Sequence, residues 1–252
     1  MFLQKKWYFT RTHFFNICSI AGLLYLPFTL KKFFLVLFFI PFINQKQRRV
    51  KFFLFIIISI LTGCVATNNP QRKYAKALQK GRITDDTSFV YALPYANGSS
   101  HLIVQGYYSA YSHKNRAALD FKMKKGTKVL AARSGVVIRL KEDGEKGGLN
   151  KKYRQDGNLV VIQHEDGTRA GYWHLQKNGV LVNIGDTIQR GQLIALSGKT
   201  GYTALPHLHF LVWSNKNGQW QQIPTRFHTA SGDKYLRPFR SYKNPSANLA
   251  TH

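Results

Sequence analysis

The sequence predicts an all-β fold, a compact antiparallel β-sheet or sandwich domain over residues 88–225. Short runs rich in β-branched and aromatic residues alternate there with Gly, Asn and Asp turns, and long helical periodicity is absent. Glu165-Asp166-Gly167 predicts a hairpin turn between two of these runs. The predicted strands are residues 101–107, 117–121, 127–131, 135–140, 158–164, 168–175, 193–196, 206–213 and 219–223.

The chain is strongly basic. Its 252 residues include 37 Lys and Arg against 11 Asp and Glu, a net charge of +26. Residues 1–63 contain nine basic residues and no acidic one, so residues 64–252 keep 28 basic residues, 11 acidic residues and a charge of +17. Such a field favours anionic partners, unless it serves only solubility. Neither an RNA-reading aromatic signature nor zinc-finger spacing is present, so we expect no nucleic-acid partner.

Cysteine usage restricts the metal chemistry. The two cysteines are Cys18 and Cys64, and neither lies in the predicted domain. That domain therefore has no disulfide and no thiolate ligand. A hydrolytic metal site in it must be made from histidine and carboxylate side chains.

The amino-terminal region carries targeting signals. Residues 52–62 are apolar and follow a basic stretch, and they suit a signal-peptide core better than a membrane span. Leu61-Thr62-Gly63-Cys64 resembles the bacterial lipobox, which implies cleavage before Cys64 and acylation of that residue. The alternative is a free cysteine at the end of a transmembrane anchor. Val65 stands where the enterobacterial sorting rule uses Asp for the inner membrane, so by resemblance we expect an outer-membrane lipoprotein facing the periplasm.

These signals divide the chain into four parts. Residues 1–63 are the signal or membrane-targeting region, and residues 64–87 a lipidated tether with a short helix near residues 73–80. Residues 88–225 form the domain, and residues 226–252 a C-terminal extension. Residues 1–49 are either an extra membrane hairpin or untranslated, with initiation at a later codon such as that of Val50, and we favour the second.

One segment of the predicted domain is too polar for a core. Residues 141–157, here called the basic loop, combine lysines and an arginine with several glycines. Long ordered loops in compact domains are usually functional or mobile. The basic loop is either the rim of a binding groove or a solvated loop.

A histidine pair is the most informative chemical feature. His207 and His209 lie two residues apart in a predicted strand, so their side chains point to the same face. With His174, His113 and Asp120 they can form a zinc site. Three protein ligands would leave a fourth position for water, as hydrolysis needs.

The order of motifs around these residues closely resembles the lysostaphin/LytM-type zinc endopeptidases, over about residues 88–225. The motifs are Ser112-His113, Asp120, Gly126-Thr127, Gly135-Val136-Val137, Asn158-Leu159-Val160-Val161-Ile162, Gly171-Tyr172-Trp173-His174-Leu175, Gly185-Asp186, Gly191-Gln192, Ser197-Gly198-Lys199-Thr200-Gly201 and Pro206-His207-Leu208-His209-Phe210.

The resemblance implies a β-sheet domain with a substrate groove and one Zn²⁺ per domain, bound by His113, Asp120 and His209. It assigns His174 and His207 as catalytic histidines that do not bind the metal. One departure is the seven-residue separation of His113 and Asp120, where family members commonly have four, so residues 114–119 must bulge or loop.

Further residues are candidates for the substrate groove or for structural roles. The segment after residue 198 either lines the substrate groove beside the site or only shapes its own loop. The candidate groove residues in it are Lys199, Thr200 and Tyr202. The other histidines, His101, His164 and His228, are expected to be structural or solvated.

The resemblance and the envelope address together imply a zinc metallopeptidase that hydrolyses peptide cross-links of peptidoglycan. One alternative is a non-catalytic wall-binding regulator of another hydrolase, to which degenerate relatives of this fold belong. A second is a carrier domain, because residues 182–198 resemble the Gly-rich hairpins of biotinyl and lipoyl folds. This hairpin, however, lacks the lysine that is modified in those folds. The sequence names no protein partner.

Overall fold

The structure is a computed structural model that describes residues 69–85, 88–216 and 218–246. The predicted targeting region, residues 1–63, and the predicted lipidation site Cys64 lie outside the described residues. In the described part of the chain, no helix combines the length and the apolar character that a bilayer crossing requires.

The described residues form one α-helix, α1 (Pro70–Gln79), one 3₁₀ helix (Lys151–Asp156) and sixteen strands. The strands are β1 Val90–Ala92, β2 Ser100–Gln105, β3 Ala118–Lys122, β4 Lys128–Leu130, β5 Gly135–Lys141, β6 Gly147–Gly148, β7 Asn158–Gln163, β8 Arg169–Val180, β9 Thr187–Ile188, β10 Leu193–Ser197, β11 Gly201–Tyr202, β12 His207–Lys216, β13 Gln219–Ile223, β14 Arg226–Thr229, β15 Gly232–Tyr235 and β16 Ser241–Lys243.

The all-β prediction is confirmed. Most strands join one antiparallel sheet whose main path is β16-β2-β3-β12-β8-β7-β5-β9. All nine predicted strands are present, with ends shifted by a few residues. The strands that the sequence did not predict are two to four residues long, too short for side-chain alternation to be read.

Strand β12 is the centre of the sheet and pairs with β3 on one side and β8 on the other. Its antiparallel register places His209 opposite both Asp120 of β3 and Trp173 of β8. Directly opposed residues project to the same face of a sheet. Asp120 and His209 therefore share one face, and His207 joins them from two residues away.

The other face of these strands carries an aromatic core. Phe121 and Phe210 follow Asp120 and His209, and alternation turns both rings inward, where they are at most 1% exposed. The ring of Phe227 packs edge-on against both, at centroid distances of 6.1 and 5.6 Å. Burying a phenylalanine contributes about 1.5–3 kcal/mol, so this cluster fixes the strands that carry the site.

The C-terminal segment belongs to the folded unit, which corrects the predicted boundary at residue 225. Strand β14 pairs in parallel with β1, and β16 pairs antiparallel with β2. Phe227 is fully buried and the side chain of Asn244 donates to the carbonyl of Tyr95 at 2.5 Å. Pairing between residues so far apart in the chain leaves no local signal in the sequence.

The predicted tether is also partly docked. Helix α1 begins after Asn69, whose side chain accepts a hydrogen bond from the Arg72 amide and caps the helix. Ala75 and Leu78 are buried, and the Gln79 amide donates to the Leu236 carbonyl at 2.6 Å. Helix α1, within the predicted tether, is therefore packed on the domain.

The C-terminal segment gives a prediction about stability. Phe227→Ala should lower the free energy of unfolding by about 3–5 kcal/mol, because it leaves a cavity in the aromatic core. Phe239→Ala is the matched control, since this ring is 79% exposed and its loss should change stability by at most about 0.5 kcal/mol. Urea unfolding measures both. Equal, small effects would mean that residues 226–246 are an appendage after all.

Candidate metal centre

The centre starts from a cross-strand pair. Asp120 on β3 and His209 on β12 are directly opposed, and Asp120 Oδ1 lies 2.8 Å from His209 Nδ1. Both residues are buried, at 7% and 6% exposure. A buried carboxylate needs partners of opposite charge or hydrogen-bond donors to stay ionised.

His113 reaches this pair from the loop between β2 and β3. Its Nε2 lies 3.2 Å from His209 Nδ1 and 3.3 Å from Asp120 Oδ1. The residues after His113 form a turn, closed by the Arg116 amide on the His113 carbonyl, before β3 starts at Ala118. This turn accommodates the seven-residue separation of His113 and Asp120.

The three donor atoms fit a divalent cation. The Nδ1–H of His113 donates to the Gly106 carbonyl at 3.1 Å, so its Nε2 carries a lone pair. That lone pair faces a carboxylate oxygen and a second imidazole nitrogen, an arrangement that a cation between the three atoms would stabilise. Zinc bonds of 2.0–2.1 Å place tetrahedral ligand atoms about 3.3 Å apart. The two distances from His113 Nε2 match this value, and the 2.8 Å contact of Asp120 with His209 is a hydrogen bond that a cation would replace.

Two further histidines flank the three. The ring of His174 lies 4.7 Å from that of His207 and 5.8 Å from that of His209, between centroids. Nδ1 of His174 lies 2.6 Å from the Thr200 carbonyl, and Nδ1 of His207 lies 2.8 Å from the Leu205 carbonyl. A carbonyl only accepts, so both rings hold their proton on Nδ1 and present Nε2 to the centre.

The site's charges depend on one another. Burial alone would raise the pKa of Asp120, but the surrounding imidazoles of His113, His207 and His209 outweigh burial and hold it well below its usual range. Burial lowers the pKa of His174 to about 3, with the neighbouring histidines adding to the effect. His174 is therefore neutral at neutral pH, and Asp120 is ionised.

Backbone geometry and a buried threonine position His174. Its φ of 63° lies in the left-handed region, which is strained for a residue with a side chain and is frequent at functional sites. The Thr200 hydroxyl donates to the Leu175 carbonyl at 2.7 Å and accepts from the Asn158 amide at 3.0 Å. The Thr200 hydroxyl is thus bonded within the framework, and its predicted place in the substrate groove stays a prediction.

The basic loop is fixed beside the site. Gly147 and Gly148 of β6 pair in parallel with Gly201 and Tyr202 of β11. A Cβ on Gly147 would lie 1.8 Å from the Lys199 carbonyl oxygen, so only glycine permits this approach. Because Lys199 and Tyr202 flank the segment that contacts His174, these two predicted groove residues lie at the border between the site and the basic loop.

The remaining histidines in the described part of the chain lie apart from the two groups able to hold a metal, which are His113, Asp120, His209 and His174, His207, His209. His164 is buried with Nδ1 2.7 Å from the Ser134 carbonyl. His101 contacts the Lys122 carbonyl, and His228 pairs with Asp233.

Several positioning groups are not recognisable in the sequence. The carbonyls of Gly106, Thr200 and Leu205 orient three imidazoles, but any residue type supplies a carbonyl. Asn158 is different, because its fully buried side chain accepts from the backbone N–H of Gly144 and donates to the Gly144 carbonyl, both at 2.8 Å. A polar residue at the start of an apolar strand is a signal in the sequence for such a structural hydrogen bond.

Comparison with known proteins connects this geometry to a family. Residues 114–222 match the model of Peptidase family M23. This M23 region starts one residue after His113 and contains Asp120, His174, His207 and His209. The match and the relatives below support membership of the region in that family.

The curated relatives are longer proteins. The chain is 40% identical over 91 residues to peptidoglycan DD-endopeptidase ShyA of Vibrio cholerae, and 38% identical over 115 residues to lysostaphin of Staphylococcus staphylolyticus. The alignments cover 36% and 45% of this chain but 18% and 22% of the relatives, so the chain spans about a fifth of their length. The catalytic domain of lysostaphin from Staphylococcus simulans aligns with 49% of this chain and 87% of that domain, at 30% identity and a TM-score of 0.35.

The geometry predicts which substitution removes a metal. His209→Ala should abolish binding of one zinc per chain, because it deletes one of the three converging donor atoms. His174→Ala should keep most of the zinc, since the other group of three donors stays intact. His164→Ala is the control for loss of a buried histidine. Metal content after dialysis, measured by atomic emission, checks all three, and equal loss in the His174 and His209 variants would contradict the ligand assignment.

Proposed function

We propose that this chain is a zinc-dependent endopeptidase that hydrolyses peptide bonds in peptidoglycan cross-links. The observation that carries the proposal is the convergence of His113, Asp120 and His209 next to two more oriented imidazoles. The M23 match and relatives named as a peptidoglycan DD-endopeptidase and lysostaphin support the reaction and the substrate.

The metal ligands are assigned to His113, Asp120 and His209. Zinc, when bound, supplies Lewis acidity that makes water a nucleophile near neutral pH and polarises an amide carbonyl. Asp120 provides the negative charge of the ligand set, and all three residues are buried. The aromatic core behind β3 and β12 keeps these side chains in place.

Proton transfer is assigned to His174 and His207. Each has its Nδ1–H engaged by a backbone carbonyl, so Nε2 is the atom that accepts a proton from the attacking water and returns one to the leaving amine. Burial keeps His174 neutral at physiological pH, so its Nε2 carries a lone pair. When one ring is protonated at Nε2, it can also donate to the oxyanion that develops on the carbonyl.

Positively charged side chains lie beside the site and can attract an anionic substrate. The basic loop is held beside the site through its pairing with β11, and the Arg154 guanidinium lies 5.4 Å from the ring centroid of Tyr202. We assign to this loop the role of a groove rim that attracts the carboxylates of peptidoglycan. Lys199 and Tyr202 lie where the rim meets the site.

The predicted activity is measured on purified, cross-linked peptidoglycan. The zinc-loaded chain should raise monomeric muropeptides at the expense of dimers, as resolved by chromatography of the digest. A chelator should stop the reaction and added zinc restore it. His174→Ala should lower the rate by about 10²-fold or more while it keeps its metal, because a proton-transfer group is lost.

The matched control for this assay is His164→Ala, which removes a buried histidine away from the centre and should leave the rate close to that of the parent. If zinc-loaded protein leaves all dimers uncut across several peptidoglycan chemotypes, yet stimulates a separate wall hydrolase, the chain is a non-catalytic regulator instead.

We further propose that the mature chain is lipid-anchored at Cys64 in the outer membrane and faces the periplasm. The lipobox-like residues 61–64 and the preceding apolar stretch support this address. Mass spectrometry of the mature amino terminus should find an acylated Cys64 with nothing before it, and Cys64→Ala should release the protein from the membrane fraction. An unmodified Cys64 within a longer chain would refute the anchor.

A further inference from the structure

A second concave surface lies outside the M23 region. Helix α1, the turn after it and the C-terminal strands border an open cleft of about 960 Å³. We call it the basic cleft. Its lining comes from residues 78–85, residue 100 and residues 226–243, none of which falls within residues 114–222.

The cleft is cationic and only partly neutralised. Six basic and two acidic residues line it, and the acid Asp233 is already paired with His228 at 2.7 Å. Within the described residues, five of the basic side chains form no ion pair with a carboxylate. These five are Lys80, Lys234, Arg237, Arg240 and Lys243, of which Arg237 donates to the Gln79 carbonyl.

A strained, exposed aromatic residue lies in the turn between two of the lining residues. Phe239 lies between the lining residues Arg237 and Arg240, is 79% exposed and has a φ of 61°. A bulky residue in the left-handed region costs about 1–3 kcal/mol, where asparagine or glycine would avoid the strain. An exposed apolar ring kept at such a position indicates a contact surface.

The turn that carries Phe239 is joined to the metal centre by strand β2. The Phe239 amide donates to the Ile103 carbonyl at 2.7 Å, and the Ile103 amide donates to the Arg240 carbonyl at 2.9 Å. Three residues further on, Gly106 contacts His113 through its carbonyl. At about 3.3 Å per residue, Ile103 and Gly106 lie about 10 Å apart along the chain.

We propose that the basic cleft is a second binding site for peptidoglycan, which holds a glycan strand with its carboxylate-bearing peptides while a neighbouring cross-link occupies the metal centre. The inference rests on the proposed function for its substrate class. Charge complementarity to carboxylates selects the ligand, and an exposed aromatic ring suits the apolar face of a sugar.

The shape of the surface separates this ligand from a bilayer. An anionic membrane is flat and would meet a convex basic patch, whereas the charges here line a concavity. Hydroxyls also line it, from Thr84, Ser100, Ser231 and Ser241, and they can hydrogen-bond sugar hydroxyls and acetamido groups. A glycan strand that enters the cleft can contact both the basic side chains and the hydroxyls.

The test measures binding of the full chain to insoluble peptidoglycan sacculi in the His174→Ala background, where binding does not depend on hydrolysis. Arg240→Gln/Lys243→Gln should bind about five- to tenfold more weakly at low salt, with a smaller difference at high salt. Lys128→Gln/Arg190→Gln removes equal charge from exposed positions outside the cleft and should bind like the parent. Zinc content and melting temperature should match the parent in both variants.

A third variant tests the exposed ring of Phe239. Phe239→Asn should weaken binding about three- to tenfold, because a stacking surface is lost. Its melting temperature should stay equal or rise, since asparagine tolerates the positive φ. A residue that only supported the fold would instead lose stability.

Three outcomes would overturn the inference. The cleft variants could bind sacculi like the parent, or both charge variants could weaken equally, which would indicate bulk charge. Or the cleft variants could lose binding to phosphatidylglycerol vesicles while binding to sacculi is unchanged, which would identify a membrane surface. Failure of hydrolysis with cleft-dependent binding intact would refute the proposed function alone, and hydrolysis without cleft-dependent binding would refute this inference alone.

Discussion

Register between β3 and β12 holds Asp120 beside His209, and the rest of the site follows from it. The same register turns Phe121 and Phe210 into the aromatic core. A slip of one residue would exchange the faces, placing a carboxylate among aromatic rings and a phenylalanine among the buried histidines. Both placements are unfavourable, so the packing that stabilises the domain also fixes the position of the proposed ligands.

Loops supply what this pair of strands cannot. His113 comes from the turn before β3, and the segments around Thr200 and Leu205 carry the carbonyls that orient His174 and His207. The basic loop is held to one of these segments by a close glycine contact. The segment around Thr200 is thus held by its hydrogen bond with His174 and by its pairing with the basic loop. A catalytic group needs such a fixed position to act.

The sequence was informative where a feature is local. Alternation of apolar residues located the longer strands, and the His-x-His spacing placed two imidazoles on one face. Contacts between distant residues left no such signal: β14 pairs with β1 across more than a hundred residues, and Phe227 completes the core from beyond the predicted boundary. Orientation by backbone carbonyls is invisible for a different reason, because it depends on chain path and not on residue type. The basic cleft has no signal in the sequence either, since its two walls are far apart in the chain.

The carbonyl contacts of the histidines have a consequence for engineering. Their hydrogen-bond acceptors belong to the main chain at Gly106, Thr200 and Leu205, so no single side-chain replacement removes them. Conversely, a designer who grafts the five metal-centre side chains onto another sheet transfers the donor atoms without their orientation. Each ring could then adopt either tautomer and rotate about its χ2 bond. The transferable unit is the set of strands together with the loops that bend back onto them.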